Sequence, residues 1–150
     1  MKEYFSESAM EIYQRSQWEA FRLGNNSLEA EHIVLAMIRQ GGCASVEFIK
    51  RAGVEIEKLC QRMELLSMVK PEQPSTDGME IPMSSYAKRA IELAHTEAKV
   101  SSRTYIEVDD LFMAILRSTD NGLEPVLSKY GITYESLRCF VEDEKSKAIL

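Results

Sequence analysis

The sequence predicts an all-α fold made of two copies of one four-helix unit, about eight helices arranged with pseudo-twofold symmetry. Three observations lead there. The chain repeats itself at a fixed offset, its apolar residues recur at steps of three and four, and glycine- and serine-rich breaks fall at matching places in both copies. Shifted by 78 residues, the sequence aligns with itself without a gap from Phe5/Met83 to Glu64/Glu142. Identical pairs include Ser6/Ser84, Glu19/Glu97, Glu29/Glu107, Arg39/Arg117 and Gly53/Gly131. The reading is a single domain over 1–150, with repeat 1 at about 5–69, a linker at 70–82 and repeat 2 at about 83–144.

Each element follows from local chemistry. The first helix of each copy starts after Ser6 or Ser84, both good N-cap residues. Its apolar stripe is Ala9, Ile12, Tyr13, Ser16, Ala20 and Leu23 in one copy, and Ala87, Ala90, Ile91, Ala94 and Ala98 in the other. Gly24-Asn25-Asn26-Ser27 and Ser101-Ser102-Arg103-Thr104 end these helices. The second helices, around 33–38 and 111–116, are apolar on all sides, which predicts burial on most faces. Gly41-Gly42 and Asp120-Asn121-Gly122 close them. Short third helices near 44–52 and 123–130 stop at Gly53 and Gly131, the expected positive-φ residues after a helix. The fourth helices are expected from about Glu55 to Met68 and from Thr133, a plausible N-cap, to about Glu144. Prolines and small polar residues mark 70–78 as a linker short enough for the two copies to pack together.

Composition narrows the function. Net charge is −6, from 18 basic and 24 acidic side chains, which argues against a phosphate-binding, nucleic-acid surface. No apolar run approaches the roughly 20 residues that cross a bilayer. No basic segment with an apolar stretch behind it opens the chain, so a cytoplasmic protein is expected. Cys43, Cys60 and Cys139 are odd in number, lack Cys-x-x-Cys spacing and sit in apolar helical surroundings, which predicts buried thiols in a reducing compartment. Trp18, the only tryptophan, lies off the first stripe; packing is expected, with partial exposure and a contact role as the alternative.

Together the duplication, its length and the segment Leu28-Glu-Ala-Glu-His-Ile-Val-Leu-Ala-Met-Ile38 resemble the amino-terminal domain of Clp-family AAA+ unfoldases. Phe21-Arg22-Leu23-Gly24, Arg39-Gln-Gly-Gly42 and Arg51-Ala-Gly-Val54 match further steps of that pattern, and the resemblance covers residues 4 to about 144. It implies a module that docks adaptor proteins and unfolded or tagged substrates above a hexameric ATP-driven ring, which passes them to a Clp-type peptidase. The chain has no Gly-x-x-x-x-Gly-Lys-Ser/Thr phosphate loop, so ATP is expected only in separate modules of a parent protein, and no catalysis or cofactor is expected here. An excised domain is favoured over a stand-alone adaptor or regulator.

The resemblance also points to residues. A Thr-Glu pair at the start of each second helix, similar to a phosphoarginine pocket, corresponds here to Ala30-Glu31 and Val108-Asp109. The carboxylates of Glu31 and Asp109 could pair a guanidinium, but the hydroxyl donors are missing, and acidic groups in a first turn also simply complement the helix dipole. Phe5 and Met83, with Met79 and Ile81 beside them, occupy a family-like peptide-groove position; hydrophobic staples or core are the other reading. A rival class is a di-iron carboxylate bundle, from Glu29-x-x-His32 and Glu92-x-x-His95. The stripe on the fifth helix puts Glu92, His95 and Lys99 on its wet face, and the two motifs are not equivalent in the repeat, so convergent metal ligands are not expected.

Overall fold

A computed structural model describes residues 2–68, 80–118 and 123–149. Among the described residues, a 3-10 turn at Lys2–Tyr4 is followed by eight helices: α1 (Glu7–Arg22), α2 (Ala30–Gln40), α3 (Ala44–Arg51), α4 (Ile56–Met68), α5 (Ser85–Val100), α6 (Val108–Arg117), α7 (Glu124–Ser128) and α8 (Tyr134–Ile149). The expected linker residues 70–79, with Met79, and the Asp120-Asn121-Gly122 break lie outside the described residues.

The sequence offset holds in the helices. The bounds of α1 and α5 correspond residue for residue, and α4 and α8 start at equivalent positions, Ile56 and Tyr134. Ser6 and Ser84 cap α1 and α5 through the backbone N–H groups of Ala9 and Ala87, each at 3.1 Å. Thr133 caps α8 by accepting from Ser136 N. α8 continues five residues past its expected end near Glu144. The turn after α1 needs a left-handed residue, supplied by Gly24 at φ 75°; the same position in copy two is Ser102, which adopts φ 58° with a side chain.

The stripes face inward as their spacing demands. Ala9, Ile12, Tyr13, Ser16 and Ala20 are buried on α1, and Ala87, Ala90, Ile91, Ala94 and Ala98 on α5. α2 is buried from Ala30 to Ile38, and α6 from Leu111 to Leu116. One apolar cluster runs through both copies, joining Val34, Met37, Ile49 and Met63 of the first to Phe112, Ile115, Leu127 and Leu137 of the second. α8 reaches across to α3, where the rings of Phe48 and Phe140 sit 5.2 Å apart.

The seam between the copies is built by exchange. Phe5 pairs with Ile106, and Leu28 with Met83, as two isolated parallel β-bridges related by the repeat. Ser6 N donates to Ile106 O at 3.0 Å and Ile106 N to Tyr4 O at 2.6 Å. In the symmetric bridge, Leu28 N donates to Pro82 O at 2.8 Å and Ser84 N to Leu28 O at 3.1 Å. The strip before the first helix of each copy thus pairs with the strip before the second helix of the other, through the backbone N–H groups of Ser6, Leu28, Ser84 and Ile106.

Two expectations are corrected. Trp18 is 58% exposed, because it lies off the buried stripe of α1, with Arg22 over its ring. Cys139 is exposed: it takes the outer-face position that Gln61 holds on α4. Cys60 is buried and Cys43 half-buried; burial, then the nearby Asp109 charge, push the Cys43 thiol up to about 11, and burial raises Cys60 as well. Since the thiolate is the nucleophile, Cys139 is expected to react with iodoacetamide at pH 8 while Cys43 and Cys60 stay protected until denaturant is added. Peptide mapping after a timed pulse checks this; early labelling of Cys43 would contradict the packing.

Candidate functional site

The segments 28–32 and 106–110 open α2 and α6 with the same device. Glu29 and Glu107 are the N-caps, and each forms a reciprocal capping box with the residue three positions on. In copy one that residue is His32: Glu29 N donates to His32 Nδ1 at 2.8 Å. With Nδ1 accepting, the imidazole is neutral and Nε2–H points to Asn25 Oδ1 at 2.8 Å. In copy two the residue is Asp110: Glu107 N donates to Oδ2 at 2.8 Å, and Arg103 binds both carboxylate oxygens at 2.6 Å. Asn25 and Arg103 occupy equivalent positions, as do His32 and Asp110. One copy therefore ties its α1–α2 turn with a neutral pair, the other with a bidentate ion pair. Both His32 and Asp110 are buried, at 0% and 3% exposure.

The expected binding residues fall around this seam. Ala30, Glu31 and Val108 are buried in the first turns of α2 and α6. Asp109 is half-buried and crosses the seam: its Oδ1 accepts from Ser45 N at 2.9 Å and Ser45 Oγ at 2.5 Å, capping α3 of the other copy, whose own N-cap, Cys43, makes no side-chain cap bond. Phe5 lies in the core beside Tyr13, with ring centroids 6.0 Å apart, and Met83 is half-buried against the same cluster. Ile81 is buried, and the amide of Gln17 holds its backbone on both sides, donating to Ile81 O and accepting from Ile81 N at 2.7 Å each. Tyr13 donates to Glu80, and burial followed by that carboxylate raises the phenol well above its usual range.

The two Glu-x-x-His motifs have different surroundings. His32 is enclosed by Asn25, Glu29 and Ser67. His95 is half-buried on the outer side of α5, stacked on Tyr4 at 4.3 Å, with Glu92 exposed beside it. Among the described residues no three His, Cys, Asp or Glu side chains come close enough to hold a metal ion.

Sequence reading passed over two features. The repeated residues Glu19/Glu97 and Arg39/Arg117 are ion pairs that clamp the first helix of each copy to the end of the second: Arg39 to Glu19 at 2.8 Å and Arg117 to Glu97 at 2.7 Å. Identity of both charges at the same separation in both copies was the available signal. The other is a cleft of about 470 Å³ in copy two, between α5, α6 and α8, lined in part by Glu97, Val100, Asp109, Arg117 and Glu142.

A family model for the Clp repeat (R) N-terminal domain matches residues 4–130, which include both seam bridges and both capping boxes. The chain belongs to this family. Similar Clp proteins include the chaperone ClpB of Oceanobacillus iheyensis, 28% identical over 134 residues, which span 89% of this chain and 16% of that protein. The negative regulator of genetic competence ClpC/MecB of Bacillus subtilis gives the same identity and coverage. Chloroplastic ClpC2 of Arabidopsis thaliana is 30% identical over 138 residues, 92% of this chain and 14% of its own. The chain spans about a sixth of the length of these Clp relatives. Solved Clp N-domains have the same fold: that of ClpD from Arabidopsis thaliana at TM-score 0.72 and 20% identity, covering 96% of this chain and 99% of that one. The Hsp104 N-terminal domain from Candida albicans gives 0.74 at 18% identity, over 91% and 87%. Among the described residues no helix is long and apolar enough to cross a membrane.

Proposed function

We propose that this Clp N-domain docks adaptor proteins and unfolded or tagged substrate segments for a Clp-type ATP-dependent unfoldase in the cytoplasm. In this reading it is joined to a hexameric ATPase working with a Clp-type peptidase, and all ATP chemistry belongs to those separate modules. The observation that carries the reading is the outer face of α1, where Trp18 and Phe21 are 58% and 52% exposed although the fold has core positions for apolar groups. Exposed Trp beside Arg is the composition of binding hot spots, and Arg22 lies 5.6 Å over the Trp18 ring. Copy two holds Thr96 and Lys99 at those positions, so a duplicated scaffold presents two unlike surfaces.

Among the described residues expected at the site, Asp109 alone borders the copy-two cleft. Glu31, Ala30, Val108, Phe5 and Ile81 are buried, and in this reading they and half-buried Met83 shape the seam beneath the docking surface. A stand-alone adaptor would use the same surface; an ATPase module in the same reading frame separates the two.

Trp18 makes the test direct, because it is the only tryptophan. Titrating the chain with a reduced, carboxymethylated protein that contains no tryptophan is expected to shift Trp18 emission to the blue and saturate. Trp18→Ala/Phe21→Ala, followed by anisotropy of the labelled partner, is expected to weaken binding about 30-fold, the scale of one hot-spot pair. Unchanged affinity in that variant would remove α1 from the docking surface, and absence of any binding would sink the proposal.

A further inference from the structure

The two copies differ at one charged cluster in a way that defines a ligand. In copy one, Glu19 and Glu64 are bridged by two guanidinium groups. Arg22 contacts Glu19 Oε2 at 2.7 Å and Glu64 Oε1 at 2.8 Å, while Arg39 contacts Glu19 Oε1 at 2.8 Å and Glu64 Oε1 at 2.7 Å. Copy two keeps three of the four residues as Glu97, Glu142 and Arg117, but the position of Arg22 is Val100. The consequences are visible. Val100 is 77% exposed. Glu142 turns outward to Arg138 at 3.2 Å. Glu97 Oε1 accepts from Arg117 at 2.7 Å and from the Tyr134 hydroxyl at 2.8 Å, while its Oε2, the atom that Arg22 occupies in copy one, has no partner among the described residues. Copy one has an opening of about 340 Å³ beside its cluster, lined by Arg39, Cys60 and Glu64; at the equivalent place in copy two the cleft reaches about 470 Å³, takes in Glu97 and Val100, and is lined by five carboxylates and three guanidinium groups.

We propose that this cleft receives an arginine side chain from a partner polypeptide, whose guanidinium takes the place in copy two that Arg22 fills in copy one. The fixed fork of arginine matches Glu97 Oε2 and a returning Glu142 as it matches Glu19 and Glu64, whereas lysine offers a single point charge. Val100, Met113 and Val141 provide an apolar side, so the segment carries an apolar residue next to its arginine. The proposal rests on the docking reading and names one of its subsites.

The test uses a fluorescein-labelled hexapeptide with one arginine beside a leucine, followed by anisotropy and by amide chemical shifts. Saturable binding is expected, with shifts centred on Thr96, Glu97, Val100 and Arg117. Binding should fall about tenfold or more for lysine and citrulline peptides and for Glu97→Gln, because the bidentate charged contact is lost. Val100→Arg, which supplies the guanidinium from within, is expected to keep its fold by circular dichroism and lose the peptide. Equal binding by Val100→Arg or by the citrulline peptide, shifts centred elsewhere, or no binding overturns the proposal. If the carboxymethylated protein still binds wild type and Val100→Arg alike while the arginine peptide binds neither, the cleft assignment fails and the docking reading stands. If the arginine peptide binds as expected and the unfolded protein does not, the reverse holds.

Discussion

Arg103→Asn is expected to destabilise the domain by about 3 kcal/mol, Asp110→His by a similar amount, and the two together by less than about 1 kcal/mol, since breaking a buried pair costs far more than exchanging it. Asp110 is 3% exposed and its oxygens serve both Arg103 and the backbone N–H of Glu107. Removing the guanidinium leaves that carboxylate buried with one neutral donor. Placing histidine opposite Arg103 sets a cation beside a ring with no second acceptor. The double variant recreates Asn25–His32 on a backbone that already holds the same capping box. Urea melts of the four proteins give the coupling energy directly; additive losses would mean that the two turns are not interchangeable.

The second large effect is at Phe112, 1% exposed where α6 meets α2, against Ile33, Val34 and Met37. Phe112→Ala is expected to cost about 3–5 kcal/mol, a large share of the roughly 5–15 kcal/mol that holds a domain of this size. Because the apolar cluster is continuous through both copies, the loss should be felt in both. Trp18 fluorescence reports copy one, far from Phe112 in sequence, and far-ultraviolet circular dichroism reports the whole. The two transitions are expected to coincide in wild type and to move together in the variant. A Trp18 transition that stays in place while the circular dichroism moves would show two independent units.

Much of this architecture could be read from the residues, for physical reasons. The stripes on α1 and α5, the buried α2 and α6 and the positive φ of Gly53 and Gly131 all follow from periodicity and backbone sterics, which are local. The seam was not legible, because a parallel bridge between Phe5 and Ile106 depends on which strips meet in space. Phe5, Ile81 and Glu31 drew attention as candidate binding residues, yet all three are buried, Phe5 against Ile106 of the other copy and Ile81 held by Gln17 from α1, which are contacts distant in sequence. Trp18 and Cys139 show the converse: an apolar side chain in an apolar helix still faces out if its angular position does. The capping exchange of Asn25–His32 for Arg103–Asp110 lay in the aligned repeat, but a changed pair reads as divergence until geometry shows that both members touch.

The central claim is that a duplicated, closed scaffold presents its outer faces to client polypeptide. Hydrogen exchange of the chain with and without a saturating, permanently unfolded protein tests it most directly. The expected result is added protection on the outer residues of α1 and along the α5–α8 cleft, with the amides of Leu28, Ser84 and Ile106 in the seam unchanged. Protection confined to the seam, or none anywhere at saturating partner, would contradict it.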